Sequence, residues 1–156
     1  MLSEAVIVIP TYNERENIRS LLHRIFEIAP ATHVLVIDDS SPDGTGEVVR
    51  ALCERYTRLQ LLSRKEKGGL GRAYIHAFQH LLRGTKVRFI ITMDADASHD
   101  PLFLRAIEIE MQGADVIIGS LYIPGGATVG WEKWRIFLSK YGNLYAKVVT
   151  RMPVHD

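Results

Sequence analysis

At 156 residues, with 47% hydrophobic and 24% charged side chains, the chain suits one domain with a substantial core. A net charge of +1 gives no basis for a nucleic-acid partner, and Cys53 as sole cysteine excludes an intrachain disulfide and points to a reducing compartment. No apolar run approaches the ~18 residues of a membrane span, and Glu4 after a short apolar start does not fit a signal peptide; the expectation is a soluble, cytoplasmic protein.

In chain order, Ala5 to Ile9 (AVIVI) is continuously apolar and β-branched, the pattern of a strand buried on both faces. Pro10 is expected to end it. Asn13, with Glu16 three residues on, reads as a capping box. A helix follows with Ile18, Leu21, Leu22, Ile25, Phe26 and Ala29 at helical spacing. His33 to Ile37 (HVLVI) is a second strand running into Asp38 and Asp39. The turn-rich Ser40 to Thr45 leads into a helix carrying Val48, Val49, Leu52 and Tyr56, and within that turn Asp43 reads as a turn or cap residue.

Leu59 to Leu62 is a short third strand, followed by the basic, glycine-rich loop Lys65 to Gly71 (KEKGGLG). An amphipathic helix then places Leu70, Ala73, Tyr74, Ala77, Phe78, Leu81 and Leu82 on one stripe. A fourth strand is expected over Val87 to Met93, a helix over Pro101 to Gln112 and a fifth strand over Asp115 to Gly119. Pro124-Gly125-Gly126 interrupts the pattern as a mobile-looking loop. A last helix from Trp131 carries Trp134, Phe137, Leu138, Tyr141, Tyr145 and Val148, an aromatic spacing read as core in preference to a lipid-lined groove. Strands alternating with helices argue for an α/β sandwich with a largely parallel sheet.

Three strand ends converge on one rim, the C-terminal edge where open α/β sheets bind ligands. The first carries Pro10-Thr11-Tyr12-Asn13-Glu14, the second Asp38-Asp39 and the fourth Asp94-Ala95-Asp96. Asp94 and Asp96 share a face through the two-residue period of a strand. Such a pair repels unless a cation lies between, and hard oxygen ligands suit Mg²⁺ or Mn²⁺. The plainer reading, in which Asp96 and Asp100 terminate the strand and cap the next helix, stands beside it. Lys67 and Arg72 bring positive charge to where a phosphate could sit, with glycines to let backbone N–H groups approach; the alternative is solvated surface charge. His99 adjoins the acidic pair, though carboxylate sites for Mg²⁺ seldom need imidazole. His76 and His80 read as surface residues of their helix. The absence of G-x-G-x-x-G after the first strand and of any G-x-x-x-x-G-K-[ST] removes dinucleotide binding and P-loop hydrolysis.

Taken together, Val8-Ile9-Pro10-Thr11-Tyr12-Asn13-Glu14, Ile37-Asp38-Asp39-Ser40-Ser41-Pro42-Asp43-Gly44-Thr45, Gly69-Leu70-Gly71-Arg72-Ala73-Tyr74 and Met93-Asp94-Ala95-Asp96 resemble family 2 glycosyltransferases of the GT-A fold. Within that family they are most similar to the dolichyl- or polyprenyl-phosphate mannosyltransferases. The resemblance implies a Rossmann-like αβα sandwich forming a single GT-A domain over residues 1–156, shortened at its C-terminus relative to the family. It further implies mannose transfer from GDP-mannose to a polyprenyl (dolichyl) phosphate with inversion, and peripheral contact with the cytoplasmic face of a membrane.

Pro10, Tyr12, Glu14, Ile37 and Asp39 match the family's GDP-mannose contacts, with Asp39 near the base or ribose. Asp94, Ala95 and Asp96 match its D-x-D element, whose acids hold Mg²⁺ or Mn²⁺ against the diphosphate. Ser98 stands where some relatives carry a Gln metal ligand, and Arg135 matches an arginine that holds phosphate charge near the reaction centre.

Two departures accompany the resemblance. Gly119-Ser120-Leu121-Tyr122 carries leucine where family members have an arginine, and a lost charged hydrogen bond costs roughly 1.5–3 kcal/mol. Relatives also continue beyond His155-Asp156. These departures support an alternative, a nucleotide-sugar-binding module with little transferase activity. A family 2 transferase with another donor, such as UDP-glucose, is a third reading.

Overall fold

Four short runs of branched and aliphatic residues pair into one all-parallel sheet in a computed structural model of the chain. β1 (Ala5–Thr11), β2 (His33–Asp38), β3 (Leu59–Ser63) and β4 (Phe89–Thr92) lie in the order β3-β2-β1-β4. The structure describes residues 2–84, 87–96, 98–120, 122 and 132–151, which fall into two compact units, Met1–Gln112 and Gly113–Asp156. Parallel neighbours need crossover connections, and α1 (Arg15–Ile28), α2 (Thr45–Cys53) and α3 (Leu70–Gly84) supply them. The chain steps outward from β1 to β2 to β3, then returns through α3 to the far side of β1. That reversal, between β1 and β4, is the topological switch point of an open α/β sheet.

The alternation of side chains across the sheet divides the core. Ala5, Ile7 and Ile9 join Val34 and Val36 against Ile18, Leu22 and Ile25 of α1 and Val49 of α2. Val6 and Val8 join Leu35 and Ile37 against Ala73, Ala77 and Leu81 of α3. Ile7, Val8 and Ile9 are each fully buried, which is why β1 is apolar at every position rather than every second one. Leu104 of α4 (Phe103–Glu110) is also fully buried in the first layer. On α3 the buried stripe is narrower than the spacing suggests, since Leu70 and Leu82 are exposed.

Several elements depart from expectation. β1 runs through Pro10 to Thr11, with Pro10 opposite Ile37. The ladder with β4 ends at Val8 and Thr92, so β1 has one neighbour at Pro10 and behaves there as an edge, where proline is tolerated. Asp115 to Gly119 forms no strand among the described residues; it lies in the second unit, where Val116 is exposed and no ladder partner is assigned. α5 (Lys133–Thr150) forms as a helix but has no buried residue, so the core reading of Trp134 and Tyr141 is corrected. Trp131 and Pro124-Gly125-Gly126 lie outside the described residues.

The start of α1 is also capped differently. Glu14, not Asn13, is the N-cap residue, and its side chain makes no capping bond. Asn13 takes a left-handed φ of 61°, which asparagine tolerates better than most residues. The unpaired N–H groups that open every helix are met from the turn before α2. The Asn13 amide donates to Ser41 Oγ (3.1 Å), Glu14 to Thr45 Oγ1 (3.0 Å) and Arg15 to Asp43 Oδ2 (3.1 Å). Asp43 Oδ1 in turn accepts from the Thr45 amide and hydroxyl, so one carboxylate ties two helix starts together as the cap expected of it.

Burial pushes the Asp43 carboxyl up, but bonds from the Thr45 hydroxyl and from the Arg15 and Thr45 amides outweigh it and hold the group below the usual carboxylate range. The unfolded chain then takes up this proton first as pH falls. The stabilisation is whole above the unfolded value of about 4 and is lost as pH drops through the folded one. Asp43→Ala is expected to cost about 1 kcal/mol at neutral pH, as loss of a cap does, with the difference from the parent shrinking as pH falls below about 4. Urea unfolding followed by circular dichroism at the two pH extremes checks it.

Candidate active site

The tips of β1, β2 and β4 and the loop leading into α3 enclose a cleft of about 270 Å³. The end of β1 contributes Pro10 and Thr11, the residues just past it Tyr12 and Glu14, and Asp39 follows β2. Lys67 and Gly69 come from the loop, Leu70 and Ala73 from the first turn of α3, and Asp94, Ala95 and Asp96 follow β4. Eight expected site residues therefore meet here: Pro10, Tyr12, Glu14, Asp39, Lys67, Asp94, Ala95 and Asp96. The remaining four do not. Ile37 is fully buried against α3, paired on both sides in the sheet, and does not line the cleft, which corrects its reading as a donor contact. Arg72 is exposed on α3 and does not line the cleft. Ser98 is exposed just past it and acts on Asp96. Arg135 lies on α5 in the second unit. Leu121 lies outside the described residues.

The adjacent carboxylates of β2 have opposite tasks. Asp38 Oδ1 accepts from Thr11 Oγ1 (3.0 Å) and Ser41 Oγ (2.5 Å), and Oδ2 accepts from the Ser41 amide (3.0 Å). It stitches the β1 and β2 tips to the following turn. Asp39 faces the cleft, yet it is 5% exposed and ion-paired with Arg64 Nη1 at 2.6 Å. Its other oxygen accepts from the Gly68 amide at 3.0 Å. A Cβ at Gly68 would collide with the Arg64 guanidinium, so glycine is what lets the loop close over the pair. Next to it the Lys67 ammonium sits 3.6 Å from the centre of the Tyr12 ring, a cation–π contact.

On the β4 side, Asp94 and Asp96 are held by short-range partners. The Asp94 amide donates to His99 Nδ1 at 2.9 Å. A ring nitrogen that accepts carries no proton, so the 3.9 Å approach of that nitrogen to the Asp94 carboxylate is not an ion pair. Tyr74 donates its hydroxyl to Asp94 Oδ1 at 3.4 Å. Burial, then the Asp94 charge, pushes the phenol up to about 12, so it remains a donor. The Ser98 hydroxyl, then its amide, holds Asp96 below the usual carboxylate range against a smaller opposing effect of burial.

Among the described residues no group of three or more His, Cys, Asp or Glu side chains is gathered as a metal site. Two ionised carboxylates opening on a cleft nonetheless suit Mg²⁺ or Mn²⁺. Mg²⁺ in particular keeps several waters and takes one or two carboxylates plus substrate phosphate oxygens.

Three contributors were not singled out from sequence. Thr11 stands within the Pro10–Glu14 rim with no role of its own in the sequence, and Tyr74 falls in the apolar stripe of α3. Arg64 precedes the basic loop Lys65 to Gly71; its signal is a cation one residue past the end of β3, facing the acidic end of β2.

With this geometry in view, comparison with known proteins is decisive. Residues 6–155 match the family described as Glycosyl transferase family 2. The chain belongs to glycosyltransferase family 2. It is 42% identical over 154 residues to polyprenol monophosphomannose synthase of Mycolicibacterium smegmatis, covering 97% of this chain and 57% of that protein. It is 39% identical over 150 residues to undecaprenyl-phosphate mannosyltransferase of Micrococcus luteus, covering 96% and 61%. The chain thus spans about three fifths of the length of these curated relatives.

Among solved structures it resembles the mannosyltransferase PcManGT of Pyrobaculum calidifontis in complex with GDP-Man and Mn²⁺. The TM-score is 0.59 at 25% identity, over 73% of this chain and 33% of that one. Glucosyl-3-phosphoglycerate synthase of Mycobacterium tuberculosis shares the fold, with TM-score 0.55 and 23% identity over 72% of this chain and 40% of that one. The fold is GT-A, as the motifs implied.

The Arg64–Asp39 pair yields a stability test within this family 2 domain. Arg64→Met leaves a buried carboxylate with one backbone donor and is expected to cost about 3 kcal/mol in urea denaturation. Gly68→Ala, which only displaces the far end of a flexible side chain, should fall between that variant and the parent.

Proposed function

We propose that this chain is the GT-A domain of a metal-dependent, inverting glycosyltransferase that moves mannose from GDP-mannose to a polyprenyl (dolichyl) phosphate. The observation that carries the reading is the meeting of Tyr12, Asp39, Asp94 and Asp96 in one cleft at the switch point of the sheet. The names of the relatives and the GDP-Man and Mn²⁺ bound to PcManGT support it. Residues 1–156 act in this reading as one domain, at the cytoplasmic face of the membrane that holds the acceptor.

Tyr12 and Asp39 take the nucleoside, displacing Lys67 and Arg64 from their present partners, with Pro10 and Glu14 framing it. Lys67, once freed from Tyr12, would turn to the diphosphate charge, and Arg72, outside the cleft lining, would add positive charge from α3. Asp94 and Asp96 would hold Mg²⁺ or Mn²⁺, with Ala95 between them and Ser98 keeping Asp96 ionised. Bound there, the ion supplies charge neutralisation for the departing diphosphate. Arg135 holds phosphate charge on the acceptor side.

In the transfer, an acceptor phosphate oxygen bonds to the anomeric carbon as the bond from that carbon to the GDP oxygen breaks, inverting the centre. A phosphate monoester has a second pKa of ~6, so the nucleophile is already largely anionic and no general base is required. The protein's task is positioning, which is worth several kcal/mol; effective molarities from good alignment reach about 7–11 kcal/mol.

Calorimetry of GDP with and without Mn²⁺ tests the donor side, with UDP-glucose in the same panel to separate the rival donor. Mn²⁺ is expected to tighten GDP, and Asp96→Ala to lose about tenfold or more of that gain with an unchanged circular dichroism spectrum. GDP affinity indifferent to the ion would overturn the reading. Mannose transfer to a polyprenyl phosphate by the unmodified chain would in turn exclude a binding module without turnover.

A further inference from the structure

Among the described residues that line the candidate cleft, Lys67 is the one cation, set against the carboxylates of Glu14, Asp39, Asp94 and Asp96. It forms no ion pair with any of them among the described residues. Its ammonium lies instead over the Tyr12 ring, 3.6 Å from the centroid. The backbone explains the position, because the span Lys65–Gly68 is tied at both ends. At its start the Arg64 amide donates to the Asp38 carbonyl at 2.8 Å, and the Arg64 carbonyl accepts from Ser40 Oγ at 2.6 Å. At its end the Gly68 amide donates to Asp39 Oδ2 at 3.0 Å. Gly69, at a φ of 84°, then accepts from the Ala73 amide at 3.0 Å as α3 begins. The span is thus fixed at the β2 tip, and the Lys67 stem is the arm it extends into the cleft.

A cation–π contact on a partly exposed ring is worth roughly a two- to fivefold gain in affinity, so a better partner can end it. What the ammonium covers matters more, since Tyr12 is the one aromatic side chain in the cleft lining among the described residues. An uncharged nucleoside that stacks on that ring must evict the ammonium and offers it nothing in return. A nucleoside diphosphate evicts it too, but brings anionic oxygens that hold an ammonium by charge-assisted hydrogen bonds. The move required is short. β1 and β4 are neighbours in the sheet, so the tip that carries Tyr12 and the tip that carries Asp94 are about one strand spacing, ~4.8 Å, apart. That lies within the sweep of a flexible four-carbon stem.

We propose that Lys67 is a movable cation that makes the cleft select nucleoside diphosphates over nucleosides. It guards the Tyr12 ring against uncharged ligands and yields the ring to a ligand that carries its own phosphate charge. Inorganic diphosphate alone therefore uncovers Tyr12, and diphosphate and nucleoside offered as separate molecules assist each other's binding. By linkage that assistance is equal in both directions. This role for Lys67 rests on the donor placement proposed above, nucleoside on Tyr12 and diphosphate toward β4, and adds which ligands the site disfavours and through which residue.

The test is titration of the whole chain with guanosine, inorganic diphosphate and GDP, followed by chemical shifts of the protein. In the parent, saturating diphosphate is expected to tighten guanosine about threefold, the strength of the contact released. Lys67→Ala should tighten guanosine alone by about the same factor, abolish its coupling to diphosphate, and weaken GDP about tenfold. Lys67→Arg, which keeps charge and reach, should restore the coupling. Lys67 is exposed, and an unchanged urea midpoint for Lys67→Ala establishes that the Arg64–Asp39 pair beside it is intact. Guanosine bound no better by Lys67→Ala than by the parent, or indifferent to diphosphate in the parent, overturns the proposal, while GDP binding leaves the donor reading in place. Failure of the parent to bind GDP with or without Mn²⁺ overturns both.

Discussion

Two neighbouring carboxylates at the end of β2 constrain everything built on the rim of this sheet. Asp38 and Asp39 are both buried, and a buried charge without partners costs several kcal/mol. The chain meets that demand in two directions. Asp38 takes Thr11 from β1 and Ser41 from the next turn, while Asp39 takes Arg64 and Gly68 from beyond β3. The β1 tip, the start of α2 and the loop into α3 are thereby held to one strand end. The cleft has definite walls because its acids must be satisfied by elements far away in sequence.

This alters the meaning of the acidic rim. Five carboxylates counted from sequence, Glu14, Asp38, Asp39, Asp94 and Asp96, suggest a strong demand for external positive charge. Three are provided for within the protein, Glu14 by the Asn17 side chain and the β2 pair as above. Among the described residues, Asp94 accepts from Tyr74 and Asp96 from Ser98, with the His99 ring 3.9 Å from Asp94. Among the described residues, the carboxylates opening on the cleft and met neither by an internal ion pair nor by Asn17 are those of the β4 tip. The cations already present, Arg64 and Lys67, lie over the side chains assigned to the nucleoside.

Strands and helices of the first unit were legible because burial imposes strict periods. AVIVI reads as a doubly covered strand, and its alternate residues do separate into two cores. The apolar residues of α1 fall on its buried face. What was not legible depends on partners distant in sequence. Nothing local signals that the start of α1 is capped from the turn before α2, or that Pro10 passes the end of its β4 neighbour and can remain in strand. Asp115 to Gly119 has strand composition, but a strand exists only through its ladder. α5 has core composition, yet its stripe faces outward; composition records that a face is apolar, not what covers it. At the site, the motif residues were legible one by one, whereas Arg64 and Tyr74 acquire meaning only from the carboxylates they touch.

The parallel register explains why those motif residues meet at all. Val8 lies opposite Thr92 and Thr11 opposite Asp38. Continuing each strand by one or two residues brings Asp94 level with Pro10, and Asp39 just beyond Thr11. The Asp94 and Asp39 positions are thus staggered by about two residues, roughly 6.6 Å. β2 and β4 flank β1, so the two acidic tips stand two strand spacings apart, about 10 Å, with Pro10 and Tyr12 between them. In the proposed reading that separation sets the direction of the donor, nucleoside toward β2 and Arg64, diphosphate toward β4. A different strand order would leave the same motifs in the chain but scatter them along the rim. The reversal between β1 and β4 turns them into one site.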